Sequence, residues 1–125
     1  MDTNCMDDKK LIPLKALRKV LEMSSKEFAE KFKCTKAYIT AIEKGDRVMS
    51  VQMLGYGLMR LGITEKQYKE LDDFYQNLLS DELNKPEFTK LMLFKTYSVL
   101  AKNEEEKNQI EALINVILKN NKARK

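Results

Sequence analysis

Hydrophobic positions recur at helical spacing along most of the chain. Leu14, Leu17 and Leu21 stand at i, i+3 and i+7 after Pro13, a residue suited to a first helical turn because it has no N–H to lose. Ser24 and Glu27 form an S-x-x-E capping box ahead of Phe28, Ala29 and Phe32, which predicts a second helix of barely two turns. Thr35 is an N-cap for a third short helix with Tyr38, Ile39 and Ile42 inward, and Gly45 stops it. After a loop at 46–50, Val51, Leu54, Leu58 and Leu61 share one face of a fourth helix ended by Gly62. Thr64 caps a fifth, from about Glu65 to Leu79, carrying Tyr68, Leu71, Phe74, Tyr75 and Leu78.

The pattern changes at 80–85, and no glycine follows Gly62. Pro86 opens an amphipathic stretch with Phe88, Leu91, Met92, Tyr97 and Leu100, and the polar run 102–108 leads into Ile110, Leu113, Ile114 and Ile117. No β-alternation survives beyond three residues. The expectation is an all-α protein with five short helices over residues 9–79 and two amphipathic helices within 80–125.

Composition narrows the chemistry. With 43% hydrophobic and 34% charged residues, the chain is too apolar for a disordered tail. It has no histidine, so His-based triads and His-containing zinc sites are excluded. Its two cysteines, Cys5 and Cys34, have no neighbouring Cys to form a ligand knuckle, and the natural setting is a reducing cytoplasm. No apolar run approaches the ~20 residues of a membrane span, and an acidic start (Asp2) is wrong for a signal peptide. No enzyme, metal or cofactor is expected, because no motif gathers the abundant carboxylates and lysines into a constellation.

The net charge of +4 is modest, but it is unevenly spread. Residues 1–8 hold three acids, residues 9–64 hold twelve Lys/Arg against five Asp/Glu, and residues 65–125 hold eleven of each. The positive excess is therefore confined to the first half, as an electrostatic footprint for nucleic acid would be.

In that half, Leu14-Lys15-Ala16-Leu17-Arg18, Ser24-x-x-Glu27-Phe28-Ala29 and Tyr38-Ile39-x-x-Ile42-Glu43-Lys44-Gly45-x-Arg47 follow in order. This pattern, spanning about 50 of the 125 residues, resembles the Cro/phage-repressor helix-turn-helix, or xenobiotic-response-element, family. The resemblance implies a five-helix lambda-repressor-like domain whose helix 35–44 enters the major groove. It implies base contacts from Lys36, Ala37, Thr40 and Ala41, and phosphate contacts from Ser25, Lys26, Lys33, Tyr38, Lys44 and Arg47. Arg18 and Glu43 match a structural salt bridge that holds the recognition helix, and Ala29 matches a close helix crossing. Lys33, however, replaces the glycine usual in the turn, where a left-handed backbone is often needed. Only Ser50 remains of the usual Asn-Pro-Ser/Thr cap. Gly55 and Gly57 lie inside the fourth helix, where they either admit a close neighbour or loosen a turn.

Two C-terminal helices cannot bury their apolar faces alone, so they must pack on the first half, on each other or on a second copy. A homodimer on a two-fold double-stranded DNA operator would use Met92, Phe94 and Tyr97 as interface residues. The region alternatively completes the monomer core or binds a protein partner. The expected function is a sequence-specific DNA-binding transcriptional regulator, a small repressor. The other class in view is a module of the same fold that binds and inhibits another protein.

Overall fold

The computed structural model describes residues 10–81 and 83–123. Cys5 and the acidic positions Asp2, Asp7 and Asp8 lie outside the described residues, as do Arg124 and Lys125 at the basic end. Among the described residues there are seven α-helices and no strand. They are α1 Pro13–Val20, α2 Ser25–Phe32, α3 Lys36–Lys44, α4 Val51–Leu61, α5 Glu65–Leu79, α6 Lys85–Val99 and α7 Glu104–Ala123.

Side-chain caps set most of these boundaries. Ser24 Oγ accepts from the Glu27 N–H at 3.1 Å while the Ser24 N–H donates to Glu27 Oε1 at 2.8 Å, closing the capping box of α2. Thr64 and Gln67 repeat the device at α5. Thr35, Ser50, Asn84 and Asn103 each accept from a backbone N–H three residues on, satisfying a donor that the first turn of a helix leaves unpaired. Helix α1 has no side-chain cap, but Pro13 in its first turn removes one of the donors a cap would serve. Gly45 and Gly62 end α3 and α4 with φ of 85° and 77°.

One continuous apolar core runs from Leu11 to Ile114. Helix α6 lies against α1, α5 and α7, so the boundary expected at residue 80 does not separate two cores. Within α6, Phe88, Leu91, Met92, Thr96 and Ser98 are all but inaccessible, whereas Lys90 and Tyr97 are exposed. The expected amphipathic helix is instead buried over most of its circumference, as a helix packed by three neighbours must be. This corrects one interface candidate. Met92 is fully buried inside the folded chain and has no surface to offer a second copy.

Helix α4 departs from expectation too. Leu58 is buried and Leu54 half-buried, but Val51 is 84% exposed because it sits in the first turn, at the rim of an open apolar cleft. Gly57 explains itself. A Cβ there would lie 2.0 Å from the ring of Phe32, so the missing side chain lets α2 and α4 close on each other. Around Gly55 a Cβ would meet nothing within 4 Å.

Candidate nucleic-acid interface

Helices α2 and α3 are joined by a tight turn whose first residue is Lys33, at φ 54° and ψ 49°. The left-handed conformation usually supplied by glycine is thus kept by a lysine, against the Cβ crowding that disfavours it. Its N–H donates to Glu30 O and that of Cys34 to Ala29 O, so the end of α2 is satisfied by the turn itself. Arg60, from the last turn of α4, adds a second closure by donating to Glu30 O at 2.8 Å and Lys31 O at 3.3 Å. The Tyr56 ring lies beneath both the Lys33 ammonium and the Arg60 guanidinium. Sequence reading missed Tyr56 and Arg60, and only their i, i+4 spacing on α4 hinted that they act together.

Helix α3 is seated by Ile39 and Ile42, both buried. Its last turn is held by Arg18 of α1, whose Nε and Nη2 donate to the two oxygens of Glu43 at 2.7 and 3.0 Å. Nη1 of the same guanidinium donates to Met23 O at 3.2 Å. A bidentate pair fixes direction as well as distance, so rotation of α3 about its axis is restrained. Lys36, Ala37, Thr40 and Ala41 then share one helical face: the first two are exposed and the last two half-buried.

The remaining candidates surround this face unevenly. Ser25 is half-buried in the first turn of α2, Lys26 and Lys33 are exposed, and Lys44 is exposed at the last residue of α3. Exposed Arg47 sits 5.1 Å from the centroid of Tyr38, so these two are brought together as a stacked pair. With no α3 residue in its lining, an apolar cleft is bordered by Phe94 and Tyr97 together with Val20, Leu21, Ile110 and Leu113. Tyr97 and Leu113 are about half exposed there, at 50% and 55%.

A polar cluster that no motif announced joins the last three helices. Lys95, 9% exposed, donates to Glu111 at 2.8 Å and pairs with Glu70 at 3.1 Å. Ser98 donates to Glu111, and Lys107 to Glu70 at 3.1 Å. Burial alone would raise both carboxyl pKa values, but hydrogen bonds from Lys95, together with Lys107 on Glu70 and Ser98 on Glu111, hold them below the usual range. Burial would lower Lys95, and its two carboxylate partners raise it instead. Elsewhere, burial raises the Cys34 thiol, and burial with the nearby Asp72 pushes Tyr68 up to about 12.

No family model matches the chain, and none of the curated proteins or solved structures compared with it does either. Among the described residues, no group of three or more Cys, Asp or Glu is placed to hold a metal ion, and no helix is long and apolar enough to cross a membrane.

Proposed function

We propose that the protein is a sequence-specific DNA-binding transcriptional regulator, a small dimeric repressor that lays α3 in the major groove of double-stranded DNA. The observation that carries this reading is the Arg18–Glu43 clamp, which fixes the last turn of α3 while Lys36 and Ala37 stand exposed and Thr40 and Ala41 half-buried on one face. A fixed helix with a solvent-facing N-terminal half is what base-edge readout requires. The surplus of cations in residues 9–64 supports it electrostatically. Lys36 would donate to guanine O6 or N7, Thr40 would serve either base type, and Ala37 and Ala41 would offer methyl contacts. With one long hydrogen-bonding side chain on this face, sequence preference would lean on DNA shape as well. The dimer would form across the exposed Tyr97 and Leu113, with the half-buried Phe94 in the same cleft.

Retention of random-sequence and selected duplexes at increasing salt tests this reading. Affinity should fall with a log–log slope of about −0.9 per neutralised phosphate. Lys36→Ala and Lys44→Ala should each weaken retention at low salt, and if both leave it unchanged the reading fails. Sedimentation at micromolar concentration tests the dimer separately, since a monomer there rules it out.

A further inference from the structure

Between α1, the last turn of α3 and the first turn of α6 lies a cleft of about 290 Å³. Its wall carries Lys10, Lys15, Lys19, Lys44 and Lys85, with Leu11 and Thr89 in the lining. Among the described residues its acid is Glu43, and both oxygens of that carboxylate already accept from Arg18. Lys10 is held in place, donating to Leu83 O at 2.9 Å with its ammonium over the Phe88 ring. Lys15, Lys19 and Lys85 make no ion pair among the described residues. Like charges gathered around one concavity repel one another and focus a positive potential into it, and a multivalent anion relieves both effects at once.

We propose that this cleft is a binding site for a small molecule bearing a phosphate chain. Ammonium groups bind phosphate as point charges, without the planar fork that carboxylate recognition favours in arginine. The volume is near the lower end of ligand clefts, about 300–1,000 Å³, which suits a short phosphate chain with any attached group outside. The Thr89 hydroxyl adds a neutral donor. The site is concave and walled by three helices, which suits a compact multivalent anion. A ligand seated here would bridge α6 to the last turn of α3, and so bears on the helix that carries the candidate base contacts.

The experiment is calorimetric titration of the full chain with sodium tripolyphosphate, with orthophosphate and a random-sequence duplex as parallel arms. The expected result is saturable binding of one tripolyphosphate per chain, weaker for orthophosphate and weakened by salt. Replacing Lys15→Gln, Lys19→Gln and Lys85→Gln together should reduce tripolyphosphate affinity by at least about 30-fold. The charge-matched control, Lys66→Gln with Lys102→Gln and Lys119→Gln, should change it by less than about 3-fold. Equal losses in the two triple variants, or no saturable binding, overturn the proposal. So does a triple variant that loses duplex affinity when tripolyphosphate never bound the parent, because the lysines would then serve a DNA backbone. Circular dichroism of both variants checks that the helices persist.

Discussion

The halves of the molecule place their charges in opposite ways. Across α1 to α4, basic residues far outnumber acids, and the ion pair found there among the described residues is Arg18–Glu43. Across α5 to α7 the charges balance; Lys95, Glu70, Glu111 and Lys107 form one network, and Lys69 pairs separately with Asp73 within α5. In the second half Lys95 and Lys107 hold helices together, whereas the first half turns most of its larger surplus outward. An internal ammonium is held by its partners, whereas an outward one is solvated and open to an external anion. That difference supports the proposed interface on the first half.

Removing one cation from each half should have the most unequal effect on stability. Lys95→Ala leaves two carboxylates facing each other across α5 and α7 without the ammonium between them. Breaking a buried pair costs about 3–5 kcal/mol; because each carboxylate is about one-third exposed, we expect about 2–3 kcal/mol in denaturant unfolding. Lys36→Ala should change stability by less than about 0.5 kcal/mol. If the two losses are equal, the comparison is wrong. The pH dependence follows the same logic. Glu70 and Glu111 titrate below their usual range in the folded chain, so their stabilisation is complete above that range and is lost as pH falls through the lowered values. Lys95 titrates above its usual value, so its share is complete below that value and disappears as pH rises through the raised one. Stability should therefore hold steady between about pH 6 and 9, and Lys95→Ala should flatten the acid limb.

The two glycines of α4 sharpen the picture within the first half. Gly57→Ala should destabilise by about 1–3 kcal/mol, because the added methyl overlaps the buried Phe32 ring. Gly55→Ala should stabilise by up to about 1 kcal/mol, since a Cβ there meets open space and the helix gains propensity. Thermal melts of the pair read the contrast directly.

Legibility followed the same division. The helices of the first half were readable because short-range chemistry ends them: Ser24 with Glu27, Thr35, Gly45 and Gly62 act within four residues of where they stand. The second half is decided by distant partners. Nothing near Lys95 in sequence announces Glu70, 25 positions earlier, and Lys95, Thr96 and Ser98 look like solvent positions until α5 and α7 cover them. Met92 was misplaced for the same reason, since a helix enclosed by three others has few outward positions. In the candidate interface the faces of α3 were legible from periodicity, but the closure by Arg60 and Tyr56 was not. It joins residues about 30 apart through a backbone carbonyl, which carries no sequence signature.

Arg18→Ala tests whether the clamp on α3 is fixing orientation or fold. The guanidinium is 16% exposed and makes three hydrogen bonds, so its loss should cost about 1–2 kcal/mol, less than that of Lys95. Under the proposed function, DNA affinity should fall by more than the unfolded fraction accounts for, because α3 would keep its helix and lose its angle. A loss of stability with unchanged affinity for DNA would make the pair structural only.

The smallest effect is expected at the turn between α2 and α3. Lys33 holds φ 54° with a side chain that disfavours it, so Lys33→Gly should relieve the crowding. Glycine also widens the unfolded ensemble, and the substitution removes the ammonium from the Tyr56 ring, so the net gain should be only about 0.5 kcal/mol. Stability and DNA retention should then move in opposite directions, the melt rising slightly while low-salt affinity weakens by the loss of one cation near α3. If affinity holds while stability rises, Lys33 is no phosphate contact. The lysine in place of a turn glycine would then be left with only its stacking on Tyr56 to explain it.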